Sequence, residues 1–314
     1  MIVFNNRTFS IDEINDQDIF ICAMGYETRS FYLWEKFCKK VSSKNSYIFV
    51  FNDYDQHNDE TRCIVEKIQD NKLATLIKAN YEEELLVREK IKTILCEKQD
   101  EFEEVVLHID YSSMPRSWYC TLPFFLQHTL REKDRIFFWY VAGKYPDDYE
   151  NIFDAGIESF KPYGFPSLKA EKRQHILALS YDKVRTQAIL SILDPDEFIV
   201  CNAYDPHHQE VSNNVKMLNS NIVAQAGMMI SLDISNFEFM IAKLCEVALE
   251  FLSEGDIIFV PDGPKPLIFA MSLVPSYLGK KGVSYLQVSR NEFVYTPVDV
   301  EPTETVFGVK FSNI

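Results

Sequence analysis

The sequence predicts an α/β protein, a tandem duplication of a Rossmann-like doubly wound parallel-sheet unit, each copy followed by a small β appendage. Three features point there. Short β-rich runs alternate with helical patterns along the chain, the order that parallel α/β units require. Several runs are apolar nearly throughout, VVLHI at 105–109 and RIFFWYV at 135–141 among them, as suits strands covered on both faces. Three loop sequences recur in the same order about 150 residues apart.

In the first half the expected strands are Ile19–Met24, Tyr47–Phe51, Ala74–Ile77, Val105–Ile109 and Arg135–Val141. Helical patterns fill Ser30–Lys40, Asp59–Gln69 and Glu82–Glu97, and an apolar helix is expected after the fourth strand. The second half repeats the order, with strands at Ile176–Leu179, Phe198–Cys201, Met228–Leu232, Asp256–Val260 and Ser284–Val288. Its helices are expected over Lys183–Leu193, Glu210–Asn219, Asn236–Ser253 and Pro266–Leu278.

The duplication rests on the loops. FNDYDQHNDE (51–60) laid over CNAYDPHHQE (201–210) matches at five of ten positions, with an offset of 150. GYETRS (25–30) lies over SYDKVRT (180–186) with one inserted residue, and SSMPRS (112–117) lies over PDGPKP (261–266). The expected organisation is a first repeat at 1–150, a linker and β appendage at 151–172, a second repeat at 173–290 and a C-terminal β appendage at 291–314. A length of 314 residues agrees with two domains at ~150 residues each. The two repeats are expected to pair pseudo-symmetrically around one cleft.

Composition narrows the function classes. Hydrophobic residues at 46% and charged residues at 25% exclude a disordered or low-complexity chain. With 32 Lys and Arg against 47 Asp and Glu the net charge is −15, which disfavours duplex nucleic acid and anionic membranes as partners. A small anionic ligand stays compatible, because a few local cations outweigh distant, screened charge. The seven cysteines are odd in number, include no CxxC and in several cases sit inside apolar strand-like runs, which reads as reduced, buried thiols in a cytoplasmic protein. The N-terminus lacks the basic-then-apolar pattern of a signal peptide. The most apolar stretches, Ile136–Ala142 and Leu267–Val274, fall far short of the ~20 residues of a membrane span. No cofactor motif is present: neither GxGxxG nor GxxxxGK[ST] follows a strand.

Ligands of open α/β sheets bind outside the carboxyl ends of the strands, and the repeated loops fall at such ends. The first offers Gly25, Tyr26, Glu27 and Arg29, then Tyr181, Asp182 and Arg185. An Arg just inside a helix start suits phosphate, although a solvated first-turn ion pair has the same sequence. The second loop offers Asn52, Tyr54, Asp55 and His57, then Asn202, Tyr204, Asp205 and His207. It reads as a structural turn, with Asp205 as N-cap and Pro206 at the first helical position, as a ligand contact, or as an incomplete metal site. The third offers Ser112, Ser113 and Arg116, then Asp262, Gly263 and Lys265. Small residues followed by one cation allow close backbone approach to an anion.

A strand, a small-residue turn ending in Arg or Lys, and an apolar helix, as in IDYSSMPRSWY and VPDGPKPLIF, resemble the fourth-strand motif of CARF domains. The tandem arrangement is similar to that of SAVED domains, which are fusions of two CARF-like units. The resemblance implies a sensor of cyclic oligonucleotide second messengers in prokaryotic antiviral defence, acting with a separate effector protein. Its ligand contacts would be Tyr26, Arg29, Ser112, Ser113 and Arg116, and Tyr181, Arg185, Asp262, Gly263 and Lys265, with Gly25 in the first turn. In place of the glycine pair usual in that motif the first repeat carries Ser113-Met114-Pro115, and only Gly263 remains in the second. Two further readings stand beside this one. Glu27, Asp55, Asp110, Asp182 and Asp205 lie near strand ends, where a carboxylate serves a nucleotide- or nucleoside-processing enzyme as base or nucleophile. An interaction subunit with vestigial pockets would have the same fold.

Overall fold

Apolar runs flanked by helix on both sides form the centres of two separate parallel sheets. The structure, a computed structural model, describes residues 2–25, 27–51, 59–144, 157–165, 172–206, 208–290 and 300–313. The chain divides into two units, Met1–Pro146 with Pro297–Ile314, and Asp147–Thr296.

The first unit contains strands β1 (Ile2–Thr8), β2 (Ile19–Met24), β3 (Ser46–Phe51), β4 (Thr75–Ala79), β5 (Val106–Asp110) and β6 (Arg135–Lys144). Strands β6, β5, β2, β3 and β4 run parallel in that spatial order. The C-terminal strand Glu301–Asn313 inserts antiparallel between β6 and β1, giving seven strands. Every residue of β2 is buried, as its central position demands. A 3-10 turn, Thr28–Phe31, leads into α1 (Tyr32–Phe37), followed by α2 (Asp59–Asp70) and α3 (Glu84–Glu101). Phe37 of α1 stacks on Phe20 of β2 with ring centres 4.2 Å apart.

One apolar helix was expected after β5, and the structure breaks it into α4 (Arg116–Tyr119) and α5 (Leu122–Leu126). Pro123 removes the N–H that would bond Tyr119 and crowds its carbonyl. The chain turns instead through Thr121 at φ 60°. Arg88 of α3 caps the break, donating to the carbonyls of Ser117 and Cys120 and to Thr121 Oγ1.

The second unit contains β7 (Ile157–Phe165), β8 (Arg173–Ala178), β9 (Glu197–Tyr204), β10 (Met228–Asp233), β11 (Asp256–Val260) and β12 (Val283–Arg290). Its helices are α6 (Lys183–Leu193), α7 (Gln209–Leu218), α8 (Ser220–Gln225), α9 (Phe237–Phe251) and α10 (Lys265–Leu278). The sheet order is β10-β9-β8-β11-β12-β7, parallel except for β7, which pairs antiparallel with β12. The C-terminal strand of the first unit is thus β13 in chain order.

Both parallel cores share one topology, third-second-first-fourth-fifth strand. The appendages are strands that close the outer edge beyond each fifth strand. Their attribution differs from expectation, because β13, which follows the second repeat, completes the sheet of the first. β1 has no counterpart in the sequence reading; its run IVFNNRT forms an edge strand paired antiparallel with β13. The thiols also differ from expectation. Cys22, Cys120, Cys201 and Cys245 are buried, but Cys38, just after α1, and Cys63 and Cys96, on α2 and α3, are exposed.

Two predictions follow from the packing. Gly308 of β13 lies under the Trp139 indole, where a Cβ would collide with the ring and approach the Arg7 carbonyl to 2.9 Å. Gly308→Ala should cost about 1–3 kcal/mol by urea denaturation. In hydrogen exchange the lost protection should fall on β1 and β6 and spare β8–β12. His175 of β8 is buried. Desolvation, reinforced by Arg173 and opposed by Asp196, lowers its pKa to about 4. The native state then binds fewer protons than the unfolded chain between pH 6.5 and about 4, so stability falls as pH drops through that window. In His175→Gln this contribution, at most on the order of 3 kcal/mol, should disappear from the pH dependence of unfolding while stability above pH 7 changes little.

Candidate functional site

The strand order of each core reverses between its first and fourth strands, and a crevice opens where successive loops leave in opposite directions. In the first unit those strands are the hydrogen-bonded neighbours β2 and β5, and in the second β8 and β11. The first and third repeated loops leave from these four strand ends. The site candidates of each repeat are therefore brought together within its own unit.

In the first unit Gly25 ends β2, where a Cβ would meet the Phe51 ring at 3.2 Å. Arg29 is 1% exposed. Its Nε donates to Glu27 Oε2 at 2.7 Å, and its Nη1 donates to Tyr140 Oη at 3.0 Å and the Val141 carbonyl at 3.4 Å. Its backbone N–H donates to the Val300 carbonyl at 3.0 Å. Gly143 makes room for the guanidinium, since a Cβ there would lie 2.9 Å from Nη1. Across the crevice Ser113 Oγ donates to the same Glu27 oxygen at 3.3 Å. The Glu27 carboxylate, 14% exposed, therefore bridges the loops after strands one and four.

Ser112 has a different role. Its backbone N–H, at 2.9 Å, and its hydroxyl both donate to Asp110 Oδ1, while its Oγ accepts from Val141 N at 2.8 Å. It ties the end of β5 to β6 and is fully buried. Arg116, half-buried, opens α4. Tyr26, Asn52, Tyr54, Asp55 and His57 lie outside the described residues.

The second unit solves the same problem with a carboxylate from the opposite loop. Arg185 is 1% exposed, with Nε 3.2 Å from Asp262 Oδ1. The other oxygen of Asp262 accepts from Ser180 Oγ at 3.0 Å and Thr186 Oγ1 at 2.8 Å. Asp182 caps α6, accepting from Arg185 N at 2.9 Å. Gly263 approaches the end of β8 so closely that a Cβ would lie 3.0 Å from the Leu179 carbonyl. Asn219 Nδ2 donates to the Ser180 carbonyl at 2.8 Å, pinning that loop from α7's C-terminal end. Tyr181 and Lys265 are half-buried, with Lys265 opening α10 after Pro264.

The second repeated loop is a structural turn where it is described. Asn202 is buried in β9 and donates to Ser212 Oγ at 2.9 Å. Asp205 does not cap a helix beginning at Pro206; α7 begins at Gln209 with His208 in the cap position, and Asp205-Pro206 form the turn before it. His207 lies outside the described residues. No group of three metal-ligating side chains occurs among the described residues. Burial, with Asp110 adding, pushes the Cys22 thiol up, and burial alone does so for Cys201, so neither strand-borne cysteine supplies a thiolate.

Sequence reading placed the arginines but not what surrounds them. Tyr140, Gly143 and Val300 come from β6 and the approach to β13, with no spacing that links them to Arg29. Ser180, Thr186 and Asp262 sit in the repeated loops, and only the fold shows them converging. No family model matches the chain, and no curated protein matches it. Among solved structures it is similar to the cytoplasmic domain of a prokaryotic cation chloride cotransporter, at 7% identity and a TM-score of 0.25, over 86% of this chain and 95% of that one. That similarity is too slight to carry an argument. No helix among the described residues is long and apolar enough to cross a membrane.

A buried ion pair stripped of one partner leaves an uncompensated charge, which costs about 3–5 kcal/mol. Arg185→Met should therefore destabilise the second unit by about that amount, whereas Arg185→Met with Asp262→Leu should recover most of it. Urea denaturation of the two variants and of Asp262→Leu alone closes the cycle. A loss below 1 kcal/mol in Arg185→Met would show that the guanidinium does not brace the crevice.

Proposed function

We propose that the chain is a ligand-binding sensor that takes a nucleotide-type anion at a switch-point crevice, of the kind used with a separate effector protein in prokaryotic antiviral defence. One observation carries this reading: at the topological switch point an arginine and loop hydroxyls, one in the first unit and two in the second, converge on a side-chain carboxylate. A position built to hold an anion lies where open α/β sheets bind ligands. The tandem of two such units, and the cation that opens the helix after each fourth strand, support the likeness to CARF and SAVED domains.

The competing enzymatic reading asks a strand-end carboxylate to act as base or nucleophile. Glu27, Asp110 and Asp182 accept hydrogen bonds from their own loops, and Asp262 from the loop opposite, which favours a binding role over turnover. The ligand class follows from charge. A chain of net charge −15 gains specificity for an anion only through fixed local donors, and charge-assisted hydrogen bonds of this kind contribute about 1.5–3 kcal/mol each.

Calorimetry with mono-, di- and cyclic oligonucleotides tests the reading. One member of the panel should bind the wild type, and Arg116→Ala combined with Lys265→Ala should weaken it at least 10-fold with the apo thermal midpoint nearly unchanged. Absence of binding by every member would overturn the proposal. A large drop in midpoint would mean that these cations brace the fold instead.

A further inference from the structure

β13 presents two unlike faces. Val309 and Phe311 are buried on one, where Phe311 meets Phe4 of β1 and Phe138 of β6. Lys310 turns to the other. Its cross-strand partners there are Asn5 of β1 and Phe137 of β6. The next same-face positions along those strands bring in Arg7, opposite Gly308, and Arg135, opposite Ser312. Arg7, Lys310 and Arg135 therefore lie on one diagonal across three neighbouring strands. Diagonal neighbours in a sheet are about 7–8 Å apart.

The three cations are close enough to act on one another. Burial, with Arg135 and then Arg7 adding, lowers the pKa of the half-buried Lys310. Arg135 pairs with Glu104 and keeps its side chain 40% exposed. Among the described residues no carboxylate pairs with Lys310 or with the exposed Arg7. Such a row needs a local reason in a chain of net charge −15. A charge on an edge strand guards it against pairing with other chains, and that accounts for Arg7. It does not account for Lys310, whose strand is paired on both sides, or for Arg135, one strand further in. Three cations held in line by strand register complement a line of anions.

We propose that this row docks an extended acidic peptide from a partner protein, with Asp or Glu at every second position. Side chains on one face of an extended chain recur about every 6.5–7 Å, which matches the diagonal spacing of the cations. The segment would cross β1, β13 and β6 over their side chains, without using the strand edge. Single-stranded nucleic acid fits less well. Its bases need open aromatic faces, and Phe137, beside Lys310, is stacked on His108 at 5.0 Å and on Trp139 at 5.7 Å. A phosphate backbone would also carry a charge at every nucleotide past an acidic surface, whereas a peptide carries charge only where the row meets it. Arg135 is the first residue of β6, so the row reaches the end of the sheet away from the crevice. The inference therefore does not rest on the ligand-binding reading.

The test is fluorescence anisotropy of the full chain with a short labelled peptide that alternates Glu and Thr, and with an oligothymidylate of similar length. The alternating peptide should bind the wild type, and added salt should weaken it. Arg7→Gln combined with Lys310→Gln should weaken it about 10-fold with the thermal midpoint nearly unchanged. Should the double variant fold poorly, Arg7→Gln alone, on the exposed edge strand, should weaken binding in the same direction. A peptide of the same composition with its glutamates in one block should bind less tightly. No binding of the alternating peptide, affinity unchanged in the variants, or equal affinity for the block peptide overturns the proposal. Tighter binding of the oligothymidylate overturns it in favour of a nucleic-acid surface.

Discussion

A guanidinium buried at the reversal of a parallel sheet must meet a carboxylate, and much of the architecture around both crevices follows from that need. Arg29 and Arg185 each lie 1% exposed at the ends of central strands, where an unpaired charge would cost several kcal/mol. In one unit the compensation comes from the same loop, through Glu27, and in the other from the loop opposite, through Asp262. The choice propagates. Asp262 requires hydroxyls at Ser180 and Thr186 and a glycine at 263 so that its loop can close on β8. Glu27 meets Ser113 from across the crevice, and Tyr140, Gly143 and Val300 seat the guanidinium from the far side.

The C-terminal strand takes part in that seating. β13 lies between β6 and β1, and the Val300 carbonyl just before it accepts from Arg29 N. The last residues of the chain therefore complete the sheet of the first unit and one wall of its crevice together. Asn313 Nδ2 donates to the carbonyls of Gln127 and Leu130, tying the other end of the strand to the chain after α5. A change in β13 would reach the crevice through one continuous strand.

How much of this was legible depended on the range over which each feature is encoded. The parallel cores were legible because each central strand is apolar on both faces; Ile19–Met24 and Asp256–Val260 match the structure residue for residue. The α6 helix at Lys183–Leu193 did so too, with Asp182 as its N-cap. The repeat placed both arginines at equivalent strand ends. It did not show that they are buried, because Arg-rich first turns look alike whether solvated or enclosed. Pairings distant in sequence were not legible at all. Nothing in EPTETVFGVKFSN says that it returns to β6, and nothing in Thr121 says that Pro123 breaks the helix before it. Asp262, expected from sequence as a ligand contact, is the carboxylate that faces Arg185 in its own crevice.

The account stands most directly on the state of the two guanidinium groups, which 15N spectra of the arginine Nε–H groups report. Both signals should exchange slowly with water, as buried paired donors do. Rapid exchange at both would contradict the account, because the arginines would then be solvated surface groups.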